Sequence, residues 1–281
     1  MSISVLTLTK NRDAHLAQQV EGLRRSETPP DEHVIVNMGA APVAVASVPW
    51  KVKMIALPSA HLPLAAARNA AASVATSQTL LFLDVDCIPA RGLVGAVARA
   101  MAGFDGLLCA EVRYLAADEA RGAWDEADLR TRAARHPHRP FPESGLRAEP
   151  NAGLFWSLAF AVRRARFAAI GGFDERFTGY GAEDTEFAFR ARDAGVALAF
   201  IGGPGAFHQH HAVYDPPLQH FDDIIANARR FYELRGQWPM RGWLDAFAAL
   251  GLIALSADRI EILREPSGAE QAGAYRAGAR F

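Results

Sequence analysis

The triplet Asp84-Val-Asp86 sets two carboxylates two positions apart, directly after the apolar run Thr79-Leu-Leu-Phe-Leu83. Side chains alternate along an extended chain, so residues two apart share a side and both carboxylates can face one cation. Hard oxygen ligands suit magnesium or manganese, and such an ion can bridge to the oxygens of a diphosphate while keeping room for water. A turn or cap closing a strand draws on the same residue types with no metal at all. His208-Gln-His-His211 places three imidazoles close together, from which a nitrogen ligand to the same cation can come. Manganese accepts that mixed set more readily than magnesium does; three histidines equally suit zinc, or a polar loop with no ligand role.

Glu183-Asp184 follows Gly179-Tyr-Gly-Ala182 and opens a segment in which Phe187, Ala191 and Ala194 recur at helical spacing. Acidic residues in a first helical turn are favoured by the unpaired amides and the helix dipole alone. Glycine on either side of Tyr180 tips the reading toward a ligand platform, since a flexible backbone near an aromatic ring and paired carboxylates suits a site better than a core. Thr9-Lys-Asn-Arg12 ends the first strand, and Arg68-Asn69 interrupts an alanine-dense segment. Both can meet a nucleotide, because the arginine fork matches phosphate oxygens and its plane packs on a base, although a helix-surface pair can equally be solvated and inert.

These groups need a scaffold that gathers them. Ile3 to Thr9 reads as a strand, and Asp13 to Arg25 carries Leu16, Val20 and Leu23 at helical spacing. His33 to Asn37 and Trp50 to Leu57 are predicted strands, Ala65 to Ala75 a helix, and Thr79 to Asp84 a strand of the kind buried in a central parallel sheet. Asp84 and Asp86 then stand at that strand's C-terminal edge, where open α/β sheets bind ligands. Arg130 to Arg147, rich in arginine, histidine and proline, reads as a mobile loop between two halves. Beyond it come Leu154 to Val162, a helix from Glu183 to Ala194, a strand at Val196 to Ile201, the histidine loop, and helices at Asp222 to Leu234 and Trp243 to Leu252. Residues 266–281 lack a core pattern and read as a loose tail. The expectation is an α/β fold: a mixed, mostly parallel central sheet flanked by helices, with a helical C-terminal extension, forming one domain over residues 1–265.

With 281 residues, half of them apolar, the chain can bury a substantial core. A net charge of −1 supplies no long-range field toward nucleic acid or an anionic membrane, so an anionic ligand must be held locally. Cys87 and Cys109 lack redox or zinc-knuckle spacing, which points to a reducing, cytoplasmic setting. The N-terminal residues alternate like a strand, so a signal peptide is not expected. The apolar stretch Ala246 to Leu255 is about half of the roughly 20 residues a spanning helix needs, so any membrane association is expected to be peripheral.

The succession Thr7 to Arg12, Ala65-Ala-Ala-Arg-Asn-Ala70, Leu83-Asp-Val-Asp86, Gly171-Gly-Phe-Asp-Glu175 and Gly181-Ala-Glu-Asp184 resembles family 2 glycosyltransferases of the A-type fold. Phe173 to Arg190 followed by His208 resembles their galactosyltransferase and N-acetylgalactosaminyltransferase branch, and the similarity runs over about residues 3 to 255. That resemblance implies a Rossmann-like nucleotide-sugar-binding half over residues 1–128 and an acceptor and metal half over 148–265. It implies manganese, or magnesium, held by Asp86 and His208, with His210 or His211 as rival ligands. Asp184 becomes the base, Glu183, Tyr180 and Trp156 meet the acceptor, and Thr7, Thr9, Arg12, Asn37, Arg68 and Asp84 line the donor pocket. Many relatives carry an acidic pair where this chain has Asn37-Met38, which bears on uracil recognition. The implied reaction is inverting transfer of a hexose or N-acetylhexosamine, of Gal or GalNAc type, from a UDP-sugar to a hydroxyl of a glycan, glycolipid or small molecule. A metal-dependent sugar-nucleotide hydrolase or nucleotidyltransferase would use the same carboxylates and histidines but gives Tyr180 no task, and a silent sugar-binding module would bind without turnover.

Overall fold

Seven consecutive residues, Ile3–Thr9, form strand β1 and are all buried, although their sequence alternates apolar and polar types. Such burial on both sides marks a strand inside a covered sheet. A computed structural model describes residues 2–117, 119–120 and 122–280; Met1, Asp118, Arg121 and Phe281, which fall within the expected domain and tail, lie outside them. Helix α1 (Asp13–Arg24) buries Leu16, Val20 and Leu23 along one face. Strands β2 (Glu32–Asn37) and β3 (Lys51–Ala56), helix α2 (Leu64–Val74) and strand β4 (Thr79–Leu83) follow. Then come β5 (Cys87–Pro89), α3 (Leu93–Gly103), β6 (Leu107–Tyr114), α4 (Glu126–Arg132), β7 (Ala134–Arg135), β8 (Leu146–Ala148), β9 (Ala159–Arg163) and α5 (Arg164–Ile170). The chain closes with α6 (Glu183–Asp193), β10 (Leu198–His208), α7 (Phe221–Arg235), α8 (Arg241–Ala249) and α9 (Gly268–Ala274).

The main sheet runs in the order β3-β2-β1-β4-β9-β6-β10-β5, with β7 beside β6 and β8 beside β10. Strands β3, β2, β1 and β4 are parallel neighbours, as are β6 and β10. The late strand β9 enters antiparallel between β4 and β6, and β5 lies antiparallel on β10. This is the mixed, mostly parallel sheet the sequence implies. Alternation along β4 sends Leu80 and Phe82 into one core and Leu81 and Leu83 into another on the opposite face. Phe82 stacks on Phe160 of β9 at 4.5 Å between ring centroids, so the inserted strand is locked by aromatic packing as well as by its ladder. A third cluster joins α7, α8 and the C-terminal segment around Ile224, Leu244 and Phe247.

Three expectations need correction. Arg130 to Arg147 is not simply an irregular loop: it contributes the end of α4 and the short strands β7 and β8, which extend the sheet at β6 and β10. Those strands are too short to show a sequence period. The tail is not loose either. Ser267 and Glu270 form a reciprocal capping box that starts α9, and Tyr275–Arg276 then pairs antiparallel with Val213–Tyr214. Lastly, Asp84 to Asp86 is a turn and not an extended continuation of β4, because the Cys87 amide donates back to the Asp84 carbonyl at 2.9 Å.

Candidate active site

That turn separates the two carboxylates into different neighbourhoods. It reverses the chain into β5, whose Cys87 stands opposite His208 in the antiparallel ladder with β10. The Gln209 amide also donates to the Asp86 carbonyl at 2.7 Å, fixing the start of the histidine loop on the acidic turn. His208 Nε2 consequently lies 3.5 Å from Asp86 Oδ1, and His211 Nε2 lies 3.4 Å from Asp86 Oδ2. One ligand atom from each of these three residues falls within 4.8 Å of the others. Burial by itself would raise the Asp86 carboxyl, but His208, His211 and Arg12 hold it well below the usual carboxylate range. Burial lowers His208, whereas the hydrogen bond to Asp86 raises His211. His210 stands outside the cluster, its Nε2 buried and with no hydrogen-bond partner among the described residues. Strand β10 ends at His208, so strand alternation no longer governs the residues after it, and His211 is the second histidine to face the carboxylate.

Asp84 turns instead toward α2. The Arg68 guanidinium donates to Glu183 Oε1 at 2.9 Å and to Ser157 Oγ at 2.7 Å, and its Nη2 stands 4.0 Å from Asp84 Oδ1. Its carbon lies 5.0 Å above the Phe173 ring. Arg68 therefore sits between carboxylates of the first and second halves rather than out in solvent. Burial pushes Asp84 up to about 8, against the pull of Arg68 and with the charges of Asp86, Glu183 and Asp184 acting in the same direction.

Asp184 opens α6 and is half-buried. Its Oδ1 accepts from the Thr185 amide at 2.7 Å and its Oδ2 from the Ser157 amide at 3.4 Å. Burial first, and the neighbouring Glu183 charge second, raise it to about 6, despite Arg68 and those amides. A carboxylate tuned toward neutrality is suited to accept a proton. The loop before it is shaped by left-handed backbone at Gly179, Gly181 and Ala182 (φ 74°, 98° and 69°). A Cβ on Gly179 would come within 2.1 Å of the Asp223 carboxylate carbon, so glycine there answers a close approach as well as the dihedral. Asn227 of α7 clamps the loop by donating to the Thr178 and Gly181 carbonyls, both at 2.9 Å. Tyr180 is half-buried, stacked on His220 at 4.5 Å and on Trp243 at 5.8 Å. Trp156 is half-buried as well, edge-on to His136 at 4.7 Å.

The remaining expected donor residues differ in access. Arg12 is partly exposed at the start of α1, and its charge acts on Asp86. Asn37 accepts from the Gly39 amide and donates to the Ala41 carbonyl, shaping the loop after β2. Thr7 and Thr9 are fully buried. The Thr7 hydroxyl donates toward Gln19 and the Leu83 carbonyl and meets His33 Nε2 at 2.9 Å, so it braces the acidic turn from beneath instead of lining a pocket. Gln19 completes the brace by donating to the Asp84 carbonyl at 2.7 Å. Sequence reasoning passed over Gln19, yet a polar residue on the same face as Leu16, Val20 and Leu23 is a readable sign of a buried polar task.

Residues 4–170, over half of the chain, match the family model described as Glycosyl transferase family 2. Residues 135–212 match the one described as N-terminal domain of galactosyltransferase. Validoxylamine A glucosyltransferase of Streptomyces hygroscopicus subsp. limoneus is 27% identical over 236 residues, covering 70% of this chain and 49% of that protein. The chain thus spans about half the length of this curated relative. Among solved structures, S. aureus TarS 1–349 superposes with a TM-score of 0.54 at 15% identity, covering 83% of this chain and 66% of that one. GalNAc-T7 with UDP, GalNAc and Mn2+ gives 0.56 at 17% identity, covering 75% and 43%. At these identities the structural likeness speaks for the fold.

Proposed function

The chain belongs to glycosyl transferase family 2 and has the A-type fold, and from that premise we propose that it is an inverting, metal-dependent glycosyltransferase. Its donor is a UDP-sugar carrying a hexose or N-acetylhexosamine of Gal or GalNAc type, and its acceptor is a hydroxyl of a glycan, glycolipid or small molecule. The observation that carries this reading is the reach of Arg68 from Asp84, beside the Asp86 cluster, to Glu183, beside Asp184. One buried cation ties a candidate donor end to a candidate acceptor end. Structures of TarS with UDP-GlcNAc and of GalNAc-T7 with UDP, GalNAc and Mn2+ share the fold and support the choice of ligands.

Asp86, His208 and His211 offer one carboxylate oxygen and two imidazole nitrogens within reach of a single ion, a donor set that fits manganese better than magnesium. Bound there, the cation supplies positive charge against the developing charge of the diphosphate leaving group. Asp184 takes the proton of the acceptor hydroxyl as its oxygen attacks the anomeric carbon opposite the leaving group, so the configuration inverts. Glu183, with Tyr180 and Trp156, orients the acceptor; Asp84, Arg12 and Asn37 meet the nucleoside. The two buried, unpaired cysteines accord with a reducing, cytoplasmic setting, and among the described residues no helix is long and apolar enough to cross a membrane.

Calorimetric titration with UDP, with and without manganese, on wild type and Asp86→Ala tests the donor site. Manganese-dependent binding that the variant loses is the expected result; absence of UDP binding to wild type would reject it. Rapid breakdown of UDP-sugar without any acceptor would favour a hydrolase instead.

A further inference from the structure

Arg139 lies between β7 and β8, in the stretch that carries no sequence period. It is 4% exposed, and its guanidinium carbon lies 4.5 Å from the Trp156 ring and 5.3 Å from both Phe141 and Phe200. The Cys109 thiol, a weak acceptor, is a hydrogen-bonding neighbour of this side chain, and no partner in full bonding geometry faces its Nε and Nη2 among the described residues. Those two nitrogens form one edge of the guanidinium, and their parallel N–H bonds make the fork that matches two oxygens of a carboxylate or phosphate. Aromatic faces compensate a buried cation in part, but they leave the in-plane donors unsatisfied.

The surroundings connect this fork to the candidate active site. Trp156, against which Arg139 packs, meets the His136 ring at 4.7 Å, and His136 in turn lies 5.8 Å from the Tyr114 ring. Tyr114 packs 5.1 Å from His208, and Trp156 immediately precedes Ser157, whose amide meets Asp184 at 3.4 Å. Arg139 is thus connected through Trp156 to the candidate base, and through Trp156, His136 and Tyr114 to His208.

We propose that Arg139 is an oxyanion-binding residue of the donor subsite, its Nε and Nη2 gripping two oxygens at the sugar end of the nucleotide sugar. Those oxygens belong to the phosphate next to the sugar or to the carboxylate of a transferred uronic acid. The assignment rests on the nucleotide-sugar reading of the site. It places a specificity element on a segment that supplies none of the candidate metal ligands and neither Glu183 nor Asp184.

The test is calorimetric titration of wild type, Arg139→Lys and Arg139→Gln with UDP, UDP-glucose and UDP-glucuronate, each with manganese. With phosphate as the source, Arg139→Gln weakens UDP about ten- to a hundredfold, and Arg139→Lys, which keeps the charge but not the fork, recovers only part. With a carboxylate as the source, UDP affinity holds and only the advantage of UDP-glucuronate over UDP-glucose disappears. Unchanged affinity for all three ligands in the variants overturns the assignment. Thermal melting accompanies each titration, and where Arg139→Gln fails to fold, the isocharged lysine variant decides. A wild type that binds none of the three nucleotides rejects the underlying reading, and the assignment falls with it.

Discussion

The Asp86 carboxylate meets the His211 imidazole through Oδ2 at 3.4 Å and the His208 imidazole through Oδ1 at 3.5 Å. Each carboxylate oxygen thereby has its own histidine, and His210, one residue earlier, stays outside the cluster. Alanine at His211 or Asp86 is expected to weaken manganese-dependent UDP binding by about tenfold or more, whereas His210→Ala leaves it within a few-fold. Titration of the three variants side by side checks this; equal losses at His210 and His211 would contradict it.

Asp184→Asn should lower turnover by about a hundred- to ten-thousandfold while leaving UDP affinity within about twofold, because only the proton acceptor is removed. Steady-state kinetics and titration of the same preparation separate the two effects.

The acid limb of the pH profile carries a sign. A base must be ionised to act, so turnover should fall as pH drops through about 6, where burial and Glu183 place Asp184. Glu183→Gln removes the negative neighbour, lowers Asp184 and moves the limb toward lower pH, even if acceptor affinity suffers. A limb that stays fixed or moves upward in that variant would show that Glu183 does not tune the base.

Gly179→Ala forces a side chain into left-handed backbone at φ 74° and against the Asp223 carboxylate. A loss of about 1–3 kcal/mol in unfolding free energy is expected, read from denaturant midpoints at constant slope.

Deleting residues 267–281 removes the partner strand of Val213–Tyr214, together with the bond from the Asp215 amide to the Ala274 carbonyl at 2.9 Å. Limited proteolysis between residues 209 and 217 should quicken while the melting of the central sheet changes little. An unchanged cleavage rate would mean that the histidine loop holds itself in place.

Much of this site stood in the sequence because its residues sit where periodic elements stop. Thr79 to Leu83 announced a buried strand, so the carboxylates after it fell at a sheet edge; Glu183-Asp184 was anchored by the helical recurrence of Phe187 and Ala191. What escaped depends on long-range pairing. Which histidine joins Asp86 is decided by where β10 leaves β5, and local spacing carries no trace of that. Arg139 lies among short strands without a period, and its burial comes from Trp156, Phe141 and Phe200, all distant from one another in sequence order or packed from different elements. The capping box at Ser267-Gly-Ala-Glu270 was readable by its residue types, and with it the ordered end of the chain.

The antiparallel insertion of β9 bears on how such a protein could be taken apart or recombined. Residues 1–128 alone would leave β4 with a bare edge where Ala159–Arg163 belongs, and β6 would lose the neighbour that joins it to the rest of the sheet. An exposed apolar edge of that kind invites pairing with another copy. The first and second halves of the chain are therefore not exchangeable cassettes: a chimera that imports a new second half must import a strand able to lie between β4 and β6, with a ring in the place of Phe160 to face Phe82.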